Sequence, residues 1–244
     1  MRGRSFGVVE FPKSGGTWVS SILGAYLDLP FPRQSALPIV FPAILHGHWK
    51  PRLSPRAGLF LFRDGRDVLI SLLHHSLREA SQSTRAGAQY RRHLTALFGP
   101  SFAETATDKL LAKWFERELE GAPILGFSWV DYHRSWLSAS AAHLTLTYCS
   151  YEEFTNDTEQ ALKRVVEAIG LRWDPLRARP AIERFSFSTV TGRDPGTINE
   201  SSFHRSGISG AWQSSLPADV NDYFLEKAGD VLADLNLQLS STSR

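Results

Sequence analysis

The sequence predicts an α/β fold in which a central, mostly parallel β-sheet is flanked by helices, and two features predict it. Apolar runs of strand length alternate with helix-spaced segments in the N-terminal part, and Gly, Pro or charged residues mark each change of period. The run "FGVVEF" (6–11) is apolar enough to be covered on both faces, which marks a buried parallel strand. "GTWVSSILGAYL" (16–27) follows it at helical spacing. Further inner strands are expected at "AILHG" (43–47) and "AGLFLF" (57–62), and "GRDVLISLLHHSLREA" (65–80) reads as a long helix. Residues 81–108 are polar, carry Gly and Pro and lack a strong period, so an excursion over the site is expected there. Helices follow at "KLLAKWFERELE" and "GFSWVDYHRSWLSAS", and "HLTLTYCS" alternates like a strand. "TEQALKRVVEAIG" has the clearest apolar stripe, with Asp157 placed to cap its start, Gln160 to reach back and Gly170 to end it. Residues 171–216 read as irregular, ahead of a last helix over about 217–235. No repeat or composition break divides the 244 residues, so a single domain, 1–244, is expected.

Composition narrows the function classes. With 42% hydrophobic and 21% charged residues the chain can bury one substantial core. Its 27 Lys plus Arg against 25 Asp plus Glu are too balanced for a nucleic-acid surface, yet suit a small anion held by a few focused charges. The single cysteine, Cys149, excludes an internal disulfide and any Cys-x-x-Cys metal site, which fits a reducing compartment. No apolar run approaches the roughly 18–20 residues that span a bilayer, and "MRGRSFGVVEF" lacks the features of a signal peptide. A cytoplasmic protein with no membrane span and no nucleic-acid partner is expected.

The turn "FPKSGGTW" carries the first chemistry. Between a buried parallel strand and a helix, backbone N–H groups and the positive end of the helix dipole converge on one place, which suits an anion. Gly15 and Gly16 allow close approach of the backbone, Lys13 supplies a point charge, and Ser14 and Thr17 offer hydroxyl donors. The order differs from the commonest phosphate loop, G-x-x-x-x-G-K-[ST], because lysine here precedes the glycines. A kinase using ATP and magnesium should also show an acidic metal partner, and none is evident.

"PKSGGTW" instead resembles the 5′-phosphosulfate loop P-K-S-G-T-T-W of the sulfotransferases that use 3′-phosphoadenosine 5′-phosphosulfate (PAPS), with Gly16 in place of the first threonine. "FRDGRDVLIS" is similar to the same family's 3′-phosphate segment, with Arg63 and Ser71 eight residues apart. A guanidinium suits phosphate because its planar donors bind two oxygens at once. "GFSWVDYHRSWL" is similar to the family's W-x-x-H-x-x-x-W stretch, "YEEF" (151–154) to its Y-E-D-L segment, and "FHRSGISGAW" to its F-x-R-K-G-x-x-G-D-W segment. The resemblance implies the P-loop-like nucleotide-binding fold of soluble sulfotransferases and PAPS as donor. It assigns Lys13, Ser14, Gly15, Gly16 and Thr17 to the 5′-phosphosulfate, and Arg63, Ser71, Arg205 and Gly207 to the 3′-phosphate. Trp18 and Tyr151 would flank the adenine. Ser206, Ala211 and Gln213 depart from the family's Lys, Asp and Lys, so one phosphate contact is expected to be missing unless Arg66 or Arg193 replaces it.

Sulfuryl transfer needs alignment of acceptor and leaving group, neutralisation of charge on the leaving phosphate, and a base. Lys13 is placed for the second task. For the third, histidine has the suitable intrinsic basicity, and in "ILHGHWKP" (44–51) His48 falls in register with the family's catalytic histidine in K-T-H-x-P. His46 falls on that motif's lysine and, by strand alternation, on the same side as His48. His74 and His75 are expected to be packing or surface residues. No metal is expected to be required. The acceptor is expected to be a hydroxylated small molecule or glycan, with residues 28–42 and 81–108 as pocket walls and Phe31, Phe41, Trp49 and Phe98 as aromatic candidates. A nucleotide-binding protein without catalysis is the remaining alternative, and the altered "HRSGISGAW" favours it mildly.

Overall fold

The computed structural model describes residues 5–33, 39–53, 57–139, 145–199, 202 and 207–242. β1 (Phe6–Glu10), α1 (Gly16–Leu27), β2 (Ile44–Gly47), β3 (Ala57–Phe62) and α2 (Gly65–Ala80) follow in the order the sequence predicts. α3 (Arg85–Phe98), α4 (Thr107–Leu119) and α5 (Trp129–Ser138) lead to β4 (Thr145–Ser150). After β4 the described elements are helices: α6 (Tyr151–Asn156), α7 (Thr158–Ala168), α8 (Pro175–Arg184), α9 (Phe187–Thr191), α10 (Trp212–Ser215) and α11 (Ala218–Thr242). Among the described residues the strands form one parallel sheet in the order β2-β1-β3-β4.

Both faces of this sheet are covered, and the two-residue alternation of strand side chains sorts the core into two layers. Phe6 and Val8 of β1 and Leu59 and Leu61 of β3 pack with Val19, Ile22 and Leu23 of α1 and Leu162, Val165 and Val166 of α7. Val9, Phe60 and Phe62 point the other way, toward Val68, Leu69 and Leu72 of α2, Trp114 of α4, Trp129 of α5 and Phe224 of α11. A slip of one residue would exchange every member of one layer for the other, so this double covering fixes the register. β1 and β3 approach closely at Gly58, where a Cβ would stand 2.1 Å from the Gly7 carbonyl oxygen.

Three stretches differ from expectation. Residues 81–108 are not an irregular excursion: α3 occupies most of them, capped by the Thr84 hydroxyl, which accepts from the Gly87 N–H. Its apolar stripe is narrow, with Leu94 and Leu97 buried, and Gly87 lies so near the preceding turn that a Cβ would stand 2.3 Å from the Gln82 carbonyl oxygen. The stretch 171–216 contains α8, started by Pro175 behind an Asp174 cap, together with the short α9 and α10. α11 runs on to Thr242, beyond the expected end near 235.

Candidate active site

The order β2-β1-β3 means that the chain leaves β1 to opposite sides, and the C-terminal ends of strands at such a reversal form a crevice. A cavity of about 520 Å³ opens there. It gathers Lys13, Gly15, Gly16, Thr17 and Trp18 from the turn after β1 and α1, His46 and His48 from the end of β2, and Arg63 from the end of β3. Ser71 comes from α2, Tyr151 from the start of α6 and Gly207 from the C-terminal segment. Arg205, Ser206 and His204 lie outside the described residues. Ser14 is fully buried beneath the turn, and its hydroxyl has no hydrogen-bond partner among the described residues.

The turn itself is strained. Lys13 (φ 76°) and Gly15 (φ 96°) both take the left-handed conformation, which costs a non-glycine residue about 1–2 kcal/mol. Gly15 starts α1, its carbonyl accepting from the N–H groups of Trp18 and Val19. A Cβ at Gly15 would lie 2.5 Å from the Tyr151 ring, so only glycine fits. Burial, followed by the nearby Arg78 guanidinium, pushes the Lys13 ammonium down to about 8.

Arg63 ties the separate motifs together. Its guanidinium donates to the carbonyl oxygens of Lys13 (3.5 Å) and Ile208 (3.1 Å), pairs with Asp67 (3.1 Å) and stacks on the Tyr151 ring, 4.4 Å from its centroid. Its Nε is buried with no partner among the described residues. Asp67 also accepts from the N–H groups of Gly210 (2.7 Å) and Trp212 (3.0 Å), which pins the "GISGAW" segment over the cavity. Tyr151 is set in place by a capping box, in which Ser150 and Glu153 satisfy one another's backbone N–H groups. Trp18 meets the Tyr151 ring edge-on at 5.8 Å and donates from its indole to the Phe185 carbonyl at 2.7 Å. Arg66 is not available as a replacement phosphate ligand: it is buried, held by Asp64 and Asn221, and lies 3.4 Å from the Trp212 ring centroid. Arg193 donates to the Thr197 carbonyl and the Ser202 hydroxyl.

The histidine side of the cavity centres on a residue that the sequence reading passed over. Glu10, the lone charge in the apolar β1 run, is buried, and its carboxylate accepts from the Gly16 N–H and lies 2.9 Å from His46 Nε2. A Cβ on Gly16 would stand 2.5 Å from the Glu10 carboxyl carbon and 2.6 Å from His46 Nε2, which explains glycine where the related loops carry threonine. His48 Nδ1 lies 3.0 Å from the Glu10 backbone carbonyl, which also accepts from the Tyr132 hydroxyl. A carbonyl only accepts, so Nδ1 carries the proton and Nε2 keeps the lone pair.

His75 is not a mere packing residue, because it lines the cavity. Its Nδ1 pairs with the Arg78 guanidinium at 3.0 Å, so Nε2 carries its proton, the opposite tautomer from His48. Burial, then Lys13 and Arg78, push it down to about 4, so it is neutral near pH 7. Of the expected walls, Arg33 and Tyr90 line the cavity, whereas Phe31, Phe41, Trp49 and Phe98 do not; Phe185 and Phe187 supply aromatic surface instead. His133 is fully buried against Trp129, to whose carbonyl its Nδ1 donates.

No helix among the described residues is long and apolar enough to cross a membrane. The chain is 23% identical to bovine sulfotransferase 1A1 over 89% of its own length and 79% of that protein, and 24% identical to human sulfotransferase 2A1 over 89% and 72%. Its fold matches mouse sulfotransferase SULT7A1, solved with PAP, at a TM-score of 0.67 and 18% identity over 98% of this chain and 88% of that one. It matches retinol dehydratase, solved with androsterone and the inactive cofactor PAP, at 0.61 and 13% identity over 93% and 80%. The sulfotransferase domain model matches residues 58–236, and on that span the chain belongs to the sulfotransferase family.

Proposed function

We propose that this sulfotransferase takes its sulfuryl group from PAPS and passes it in line to a hydroxyl or amine of a small-molecule or glycan acceptor, with His48 as base. The observation that carries this reading is the contact of Arg63 with the Lys13 carbonyl inside one cavity: the two anion-binding motifs face a common space, as a donor with phosphates at both ends requires. Lys13, the Gly15 amide and the Thr17 hydroxyl hold the 5′-phosphosulfate; the Gly16 N–H is turned to the Glu10 carboxylate and Ser14 is fully buried beneath the turn, so these two shape the loop that holds it. Lys13 neutralises charge as it moves onto the leaving phosphate. Arg63, Ser71, Arg205 and Gly207 hold the 3′-phosphate, and Trp18 and Tyr151 flank adenine. His48, with Nδ1–H anchored on the Glu10 carbonyl, directs Nε2 to the acceptor proton.

The PAP carried by the neighbouring structures supports the choice of donor. The androsterone seen in one of them supports a small hydroxylated acceptor, and the aromatic surface that Trp18, Tyr90, Tyr151, Phe185 and Phe187 give the cavity suits such a molecule. A cytoplasmic setting belongs to the same reading, since one relative, from Arabidopsis thaliana, is a cytosolic sulfotransferase. The test is thermal stabilisation by PAP against ATP with magnesium. A ligand that binds only the native state at 100 times its Kd contributes about 2.7 kcal/mol. PAP should raise Tm and ATP with magnesium should not; the reverse result would assign the site to a phosphate-loop kinase. Transfer from PAPS to a panel of phenols, steroids and sugars then identifies the acceptor, and PAP binding with no transfer to any of them would leave a non-catalytic nucleotide-binding protein.

A further inference from the structure

We propose that Glu10, His46 and His48 form a binding site for one divalent first-row transition metal ion of the zinc type at the acceptor side of the cavity. One ligand atom from each of the three lies within 4.8 Å of the other two. Zinc bound at about 2.0–2.1 Å to nitrogen and oxygen sets tetrahedral ligand atoms about 3.3 Å apart. The 2.9 Å separation of His46 Nε2 and Glu10 Oε1 is just under that figure and the 4.8 Å limit is above it, so small side-chain rotations close the site.

The donor chemistry selects the ion. Two imidazoles and a carboxylate suit zinc, copper, nickel or iron, whereas magnesium and calcium prefer an all-oxygen shell. The carboxylate is oriented by an outer contact, since Glu10 Oε2 accepts from the Gly16 N–H, and such contacts hold metal ligands in place. Space is provided by the same glycine, whose missing side chain leaves room for Glu10 and His46 to meet. All three residues line the cavity, so a fourth coordination position faces it, open to water or to an oxygen of an acceptor. The Glu10 carboxylate, 3% exposed, already has the Gly16 N–H and His46 beside it, and a cation would add to these partners. Coordination through either His48 nitrogen removes it as a base, because Nε2 is the base atom and the Nδ1 proton is what holds the ring on the Glu10 carbonyl.

The experiment needs neither donor nor acceptor, so its outcome is independent of the transfer reading. The EDTA-stripped full chain is titrated calorimetrically with zinc chloride, with magnesium chloride as the comparison metal. One equivalent of zinc should bind with micromolar or tighter affinity, and magnesium should give no saturable heat. Glu10→Gln and His46→Ala should each weaken zinc at least tenfold. His93→Ala, at a position that does not line the cavity, should not change it. Because either ligand variant could disturb the turn, the unmodified protein is also followed by NMR. At one equivalent of zinc, resonances of two of its eight histidines should shift together. Absence of stoichiometric zinc binding, equal binding of magnesium, shifts confined to other histidines, or unchanged affinity in both folded variants would each overturn the site.

Discussion

The backbone carbonyl of Glu10 lies 3.0 Å from His48 Nδ1 and 2.9 Å from the Tyr132 hydroxyl, so a single peptide oxygen orients the imidazole. A base whose tautomer is set this way presents Nε2 without a rearrangement. His48→Ala should therefore lower kcat by about 10²–10⁴-fold, the usual contribution of a positioned base, while PAP affinity stays within a few-fold. Steady-state transfer together with calorimetric PAP binding separates the two effects. Turnover near that of the unmodified enzyme would remove His48 from the mechanism.

Lys13 gives the second prediction, a pH dependence with a defined sign. Its ammonium, pushed down to about 8, is charged below that pH and loses its charge as pH rises through it. PAP affinity should accordingly weaken between pH 7 and 9, and Lys13→Met should bind weakly with little of this dependence. The unliganded protein should respond in the opposite direction. Between about 8 and the ordinary 10.5 the unfolded chain binds a proton that the native lysine does not, so stability rises with pH across that window. A PAP titration and a melt over the same pH series check both signs.

Gly16 and Glu10 should be energetically coupled. A methyl at 16 meets the Glu10 carboxyl and His46 Nε2 within 2.7 Å, so Gly16→Ala forces one of them aside and should lower Tm. In a Glu10→Ala background the same change has more room and should cost less. Neighbours of this kind give coupling of about 0.5–3 kcal/mol in a double-mutant cycle. Additivity would mean that the loop moves as a whole and that Gly16 is not fixed by its contact with Glu10.

What could be read in the sequence follows from how local each feature is. The turn after β1 and the helix behind it lie within one strand-to-helix unit, where apolar period and glycine placement suffice, whereas the Arg63 to Ser71 pair was legible through its resemblance to the sulfotransferase segment. α3 was missed because Leu94 and Leu97 make too thin a stripe and Gly87 reads as a loop signal until the close approach at Gln82 is seen. The Glu10 contact with His46 joins residues 36 apart, and Asp67 holds a segment more than 140 residues downstream, so neither has a local pattern. The one available sign was a charge inside the run "FGVVEF", which a buried strand tolerates only with a partner. His75 was misplaced for a related reason: its helix position was clear, but its exposure to the cavity depends on where β1 sets Lys13.

Glu118 of α4, which does not line the cavity, supplies a prediction of stability. Its side chain is almost wholly buried, and burial pushes the carboxyl up to about 7 despite the Ile124 N–H that donates to it at 2.9 Å and the nearby Arg117. Between the ordinary 4.5 and about 7 the native state holds a proton that the unfolded chain has released. That contribution to stability is complete below about 4.5 and is lost as pH rises through 7. Glu118→Gln keeps a carbonyl oxygen for the Ile124 N–H and carries no charge to desolvate. It should raise Tm at pH 8 by several degrees, on the order of 1–3 kcal/mol, and change it little at pH 5. Melts of both proteins at the two pH values decide the matter, and a shift of equal size at pH 5 and pH 8 would assign the effect to packing and not to the buried charge.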